Sequence, residues 1–116
     1  LSQFFVQDDK LSCALYQRSG DVGLGIPFNI ASYSFLTHLL AKHCNLEANE
    51  FIHFIGNAHI YEDHINVLSD QTKREPYEEP TIEISEKRDN INDYIFKDFK
   101  IHNYKHDEPI KMDMRA

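Results

Sequence analysis

The apolar positions of this chain change their period several times, and each change marks an element. Gln3 to Val6 is short, aromatic and β-prone, and the polar run Gln7-Asp8-Asp9-Lys10 after it reads as the turn of a hairpin. From Leu11 to Ser19 the residues alternate: Leu11, Cys13, Leu15 and Gln17 share one face, and Ser12, Ala14, Tyr16 and Arg18 the other. The chain then crosses a turn holding three of its four glycines and enters a helix just after Pro27. From Phe28 to Leu46 the apolar positions Phe28, Ala31, Phe35, Leu36, Leu39 and Leu40 recur at helical spacing. Further apolar residues widen the stripe, so this long helix is expected to be largely buried against a sheet. Asn45 ends it in a polar loop.

Phe51 to Tyr61 is β-like, and alternation places His53, Ile55, Asn57, His59 and Tyr61 on one face. Glu62-Asp63 favours the start of a helix running to about Lys73, which Pro76 stops. Thr81 to Ser85 alternates with Ile82 and Ile84 inward, Asn90 to Asp98 reads as a short helix or turn, and Phe99 to Tyr104 as a last strand. Glu78-Glu79 and Glu86-Lys87-Arg88-Asp89 read as solvated surface. Helices interspersed with hairpin-joined strands predict an α+β protein, a mixed, twisted β-sheet packed against a long buried helix.

Composition narrows the function more than the fold. With 116 residues, 41% of them hydrophobic, the chain has a one-domain length and enough apolar surface for a core. Nineteen acidic against twelve basic residues give a formal charge of -7, which repels a polymeric nucleic acid. Cys13 and Cys44 have no metal or redox spacing and suit a reducing cytosol or nucleus better than secretion, so a cytoplasmic location is expected. No apolar run reaches membrane-spanning length, and no membrane partner is expected.

The stretch Gln17 to Asn29 is where chemistry is expected. A strand, a glycine turn and a helix N-terminus in succession offer backbone N–H groups and a helix dipole to an anion. Arg18 at its edge has the fork geometry that grips phosphate or carboxylate. Asn29 offers one donor and one acceptor side by side, as reading the paired edge of a nucleobase requires. Glycines at 20, 23 and 25 match neither the dinucleotide fingerprint nor the P-loop, so a plain tight turn with a solvated arginine accounts for the same residues. Cys13, alternating with leucines, is expected to be an inert small hydrophobe, and Cys44 a packing residue. His53, His59 and His64 lack the spacing of a zinc site, and no metal is expected.

Gln17-Arg18-Ser19, Asp21, Leu24-Gly25 and Pro27-Phe28-Asn29-Ile30-Ala31-Ser32-Tyr33 stand in one ordered block. Ala58-His59-Ile60-Tyr61, Arg74-Glu75-Pro76 and Ile110-Lys111-Met112 follow it. This pattern resembles thymidylate synthase nearly from end to end. The resemblance implies that fold, and the reductive methylation of deoxyuridylate (dUMP) to thymidylate with methylenetetrahydrofolate as cosubstrate and no metal. It also implies that residues 1–116 are the C-terminal portion of a single synthase domain. The family's nucleophilic cysteine, in a Pro-Cys-His a few residues before the Gln-Phe matched by Gln3-Phe4, is then expected upstream of Leu1, and the fragment alone is not expected to turn over.

Residue by residue, the resemblance assigns the nucleotide to Arg18, Ser19, Gly20, Asp21, Asn29, His59, Ile60 and Tyr61. Within that set Arg18 and Ser19 face the phosphate beside arginines of a partner subunit in a homodimer, Asn29 reads the uracil and assists catalysis, and His59 and Tyr61 bind the deoxyribose hydroxyl. It assigns the folate to Asp21, Leu24, Gly25, Phe28 and Arg115, under a C-terminal tail that closes as a lid. Departures are the large, charged Arg115 near the end of the tail, Asn57 where an aspartate usually stands, and Tyr77-Glu78-Glu79 in place of a basic, proline-rich stretch. A catalytically inactive nucleotide-binding or dimerisation relative is the alternative, followed by a deoxycytidylate hydroxymethylase, which carries aspartate at the position of Asn29. Fusion to dihydrofolate reductase is compatible with the same pattern.

Overall fold

A computed structural model describes residues 1–115, and Ala116 lies outside the described residues. Strand β1 (Ser2–Gln7) turns into β2 (Lys10–Asp21) through Asp8 and Asp9, whose φ of 51° and 59° are both left-handed. Two such residues match the twist of a two-residue hairpin, and aspartate tolerates that backbone. The strands pair antiparallel from Ser2 against Leu15 to Gln7 against Lys10. Helix α1 (Gly25–His43) then crosses back, and β3 (Glu47–His59) lies parallel to β2, from Lys10 beside Glu47 to Asp21 beside His59. The sheet is therefore mixed, with β2 central.

Beyond it a 3₁₀ turn, Glu62–His64, leads into the short helix α2 (Ile65–Gln71). Strands β4 (Thr81–Ile84) and β5 (Phe99–His102) form a separate antiparallel pair, with 3₁₀ turns at Ile91–Asp93 and Phe96–Asp98 between them. Ile84 is buried and Ile82 half-buried, as alternation predicts.

The core lies between β2 and α1. Leu11, Cys13 and Leu15 are 6%, 0% and 5% exposed, which makes their face of β2 the one that α1 covers. Burial pushes the Cys13 thiol up, against a smaller opposing effect of its hydrogen bond with Thr37. Ser12 is buried too, at an irregularity in the β2–β3 register between Leu11 and Cys13, and accepts a hydrogen bond from Asn49 Nδ2 at 3.0 Å.

The helix α1 and the strand β3 differ from expectation. α1 begins at Gly25 and ends at His43, so Leu46 falls outside it. Its stop is the one expected: Asn45 is left-handed at φ 57°, and the Leu46 N–H reaches back to the Ala41 carbonyl at 2.8 Å. α1 is also half-buried rather than largely buried: only Ile26, Thr37 and Ala41 are fully covered, while Phe28 stays 74% exposed. A three-stranded sheet covers one side of the helix and the β4–β5 pair only part of the rest, where Phe35 meets Phe99 edge-on at 4.9 Å. Lastly, β3 starts at Glu47 rather than Phe51 and stops at His59, leaving Tyr61 beyond the strand.

Arg88, expected as solvated surface, keeps a 39% exposed side chain but also pairs with a buried carboxylate. Its guanidinium holds Asp98 through Nε at 3.2 Å and Nη2 at 2.5 Å, and the Ile95 N–H adds a third bond at 2.9 Å. Asp98 is 4% exposed, and these donors, Arg88 foremost and then the Ile95 N–H, hold its carboxyl below the usual aspartate range. A carboxyl depressed on folding adds stability above its unfolded value, and that stability is lost as pH falls through the folded value. Thermal melts of the intact protein should thus fall on acidification below about pH 4, the ordinary aspartate range. Asp98→Asn should melt lower at neutral pH and lose less on acidification; parallel pH profiles would refute this role for Asp98.

Candidate functional site

The parallel pairing of β2 and β3 brings Asp21 and His59 side by side at the carboxyl ends of two strands, where α1 begins. Ligands in α/β units favour that edge, because loops and helix N-termini converge there and no backbone ladder closes it. Val22 N–H donates to the His59 carbonyl at 2.9 Å and ties the turn to the end of β3.

The glycines of the turn serve close approach. None of them has a positive φ. A Cβ on Gly20 would overlap the Ile26 side chain, and one on Gly23 would stand 3.0 Å from His64 Nδ1 and 3.3 Å from Met112 Sδ. The anion nearest the turn is the chain's own: Asp21 accepts from Gly23 N–H at 3.0 Å and from Leu24 N–H at 3.4 Å. Asp21 is therefore a turn-former in this structure, and two N–H groups expected to face a ligand are already occupied.

On the α1 side of β2 a relay of polar groups forms. Gln17 Nε2 donates to the Ser19 carbonyl at 3.0 Å and to Asn29 Oδ1 at 2.9 Å, while His53 Nε2 lies 2.9 Å from Gln17 Oε1. Asn29 and Arg18 line a cavity of about 270 Å³ with Leu15, Tyr16, Gln17 and Tyr33. Arg18 is exposed and takes part in none of the ion pairs among the described residues. The surface salt bridge that would explain it away is absent among them, and its guanidinium is open to an anion.

His59 Nδ1 approaches Ser19 Oγ at 3.5 Å, and its ring meets Tyr61 edge-on at 5.5 Å. Ser19, His59 and Tyr61 thus gather at one corner although Tyr61 has left the strand. Ile60 is 49% exposed between them. His53 and His64 each use one ring nitrogen, on Gln17 and the Asp113 carbonyl, His59 Nδ1 lies 3.4 Å from the Asn57 carbonyl and 3.5 Å from Ser19 Oγ, and no group of three or more His, Cys, Asp or Glu among the described residues is arranged around a metal.

A larger groove of about 820 Å³ runs beside the turn, lined among others by Gly23, Phe28, Arg74, Tyr104, Ile110 and Met112. Leu24 and Gly25 sit half-buried in the adjoining loop. The tail crosses back over this region and is fastened at two levels. His64, 1% exposed, hydrogen-bonds the Asp113 carbonyl at 2.8 Å, and Arg115 pairs with Asp63 through Nε at 3.0 Å and Nη2 at 2.6 Å. Arg115 therefore points to Asp63, and its guanidinium holds that carboxyl below the usual range.

Neither Gln17 nor His53 has a role predicted from sequence. One signal was available: Gln17 shares a face with Leu11, Cys13 and Leu15, where an amide needs partners. His53 carries no such mark, because its partner lies 36 positions away.

A family model described as thymidylate synthase matches residues 1–116. The chain is 53% identical over 116 residues to a bifunctional dihydrofolate reductase-thymidylate synthase of Plasmodium berghei (strain Anka), covering 100% of the chain and 20% of that protein. It is 51% identical over 109 residues to a thymidylate synthase of Francisella philomiragia, covering 94% of the chain and 40% of that protein. A bifunctional protein of the same description from Paramecium tetraurelia is 49% identical over 114 residues, 98% of the chain and 24% of that protein. The chain thus spans between a fifth and two-fifths of the length of these relatives.

Proposed function

The chain belongs to the thymidylate synthase family, and on that footing we propose that it carries the nucleotide- and folate-facing part of an enzyme that methylates deoxyuridylate with methylenetetrahydrofolate. The observation that carries this reading is that Arg18, exposed and in no ion pair among the described residues, lines one cavity with an Asn29 whose oxygen is already held by Gln17. Phosphate takes the guanidinium, with Ser19 beside it. Uracil presents its O4 acceptor and N3–H donor to Asn29: the amide hydrogens go to O4, and Oδ1, which has a second lone pair, accepts from N3–H. His59 and Tyr61 take the deoxyribose hydroxyl at the corner they share with Ser19.

The pyrimidine carbon to be methylated is a poor nucleophile, and addition of a thiolate to its neighbour makes an enolate-like species that attacks. The methylene donor supplies the one-carbon unit and the reducing equivalents. Cys13 is not the thiol, since it is fully buried and its pKa is raised. Cys44 caps the far end of α1, about 28 Å from its start at 1.5 Å per residue over 19 residues. The reaction therefore draws its cysteine from outside these residues. Folate lies in the groove against Phe28, whose ring is 74% exposed, with Asp21, Leu24 and Gly25 at its edge and the tail carrying Arg115 over it. A groove of that size is within the range for a drug-sized ligand. A second copy of the protein packs on the sheet face away from α1, where Tyr16 and Phe54 pair in register and are both exposed, and contributes arginines to the phosphate site.

The test uses the intact protein, a fluorinated deoxyuridylate and methylenetetrahydrofolate. A covalent ternary complex is expected by mass spectrometry. Arg18→Ala should weaken dUMP binding by about 10- to 100-fold, the size of one or two hydrogen bonds to a charged group, with its melting temperature unchanged. Absence of the adduct in a folded protein that still binds dUMP would turn the reading toward a non-catalytic nucleotide-binding relative.

A further inference from the structure

We propose that His53 is a positioning residue for base recognition: its Nε2–H, together with the Ser19 carbonyl, holds the direction of the Gln17 amide, and through it the group that Asn29 turns toward the ligand. The consequence for binding rests on the uracil reading above; the geometry does not.

Each link follows from what can donate and what can only accept. The Ser19 carbonyl accepts, so the group of Gln17 that lies 3.0 Å away must be its NH₂. The other hydrogen of that NH₂ goes to Asn29 at 2.9 Å, which requires Asn29 to offer its oxygen there. The Asn29 NH₂ is thereby turned away from Gln17. At the opposite end, Gln17 Oε1 is left to accept, and the atom 2.9 Å from it is His53 Nε2, which must hold the proton. Two amides that look alike to a ligand are thus held in one of two orientations by the Ser19 carbonyl at one end and by a histidine on the neighbouring strand at the other.

His53 stands beside Leu15 in the parallel register, and its ring packs against Phe51 at 5.3 Å between centroids. The Gln17 side chain is part-buried, so removing the donor leaves Oε1 without a partner in a place where water reaches it poorly. Rotating Gln17 outward would relieve that, and would release Asn29.

Two replacements separate this role from packing. His53→Phe keeps an aromatic ring on Phe51 and deletes the donor; His53→Trp keeps an N–H that donates and never accepts. In the ligand-free intact protein, solvent exchange of the Gln17 and Asn29 side-chain amide protons, followed by NMR, should quicken at least about 3-fold in the Phe variant and return toward the original rate in the Trp variant. The preference for dUMP over deoxycytidylate should fall about 3- to 10-fold in the first and recover in the second, the size of one neutral hydrogen bond. A merely structural histidine would lower the melting temperature and move neither readout. Unchanged amide exchange in the Phe variant overturns the proposal, as does a Trp variant that fails to restore what Phe lost. Should the parent protein itself not prefer uracil, the uracil reading falls, and amide exchange alone decides the role of His53.

Discussion

Replacing Asn29 by aspartate is expected to swing base preference from uracil toward cytosine by about 10- to 100-fold, the range of a good two-point base contact. The structure says why the exchange changes one thing only. Gln17 Nε2 donates to Asn29 Oδ1 at 2.9 Å, and a carboxylate keeps an oxygen at that position, so the relay from His53 survives. What changes is the outward group, from a donor that suits the uracil O4 to an acceptor that suits the cytosine amino group. The uracil O4 then faces an acceptor and has no donor, while cytosine gains an acceptor for its amino group and pairs through N3 by a proton held between that nitrogen and the carboxyl; an unmet polar group in a desolvated pocket costs more than a missing apolar contact. Binding of dUMP and deoxycytidylate by calorimetry decides it: a variant that still prefers uracil removes Asn29 from base reading. The same substitution tests the boundary with the deoxycytidylate hydroxymethylases, which the Asn29 of this chain argues against.

Leu11→Ala should have the largest effect on stability, about 2 to 5 kcal/mol, as expected for truncating a buried leucine. Leu11 is 6% exposed, lies against Val6 of β1 and Ala48 of β3 in the register, and sits on the β2 face that α1 covers. The base-reading relay begins six residues on at Gln17, about 20 Å away for an extended chain. Urea unfolding of the intact protein should show a lower midpoint with an unaltered slope, while the ratio of dUMP to deoxycytidylate affinity stays put. A change in that ratio would mean that the core and the relay are coupled along β2.

Elements whose cause is local are legible in the order of residues. The β1–β2 turn at Asp8-Asp9, the stop of α1 at Asn45 and the inward side of β2 each follow from a few neighbouring residues. So do Arg18 and Asn29 as the groups worth watching, since a guanidinium and an amide carry their chemistry wherever they stand. The start of β3 is not legible in this way because Glu47 to Glu50 is polar; those residues are strand because β2 lies alongside and completes their hydrogen bonds, whatever their own preference.

By itself, then, the amino-acid sequence determined the kinds of element, the apolar face of the central strand and the family, because these depend on short-range preference and on a long ordered motif. Only the tertiary structure decided that Arg88 holds Asp98, that Arg115 turns to Asp63, and that His53 reaches Gln17 and so orients Asn29. Those pairs are 10, 52, 36 and 12 positions apart, and no period or propensity couples residues at such distances. Gln17 and His53 meet because a helix carries the chain back to lay one strand parallel to another, Arg88 and Asp98 because β4 and β5 pair antiparallel, and Arg115 and Asp63 because the tail returns beside the 3₁₀ turn; hydrogen bonding at 2.5 to 3.2 Å then selects the orientation of each side chain.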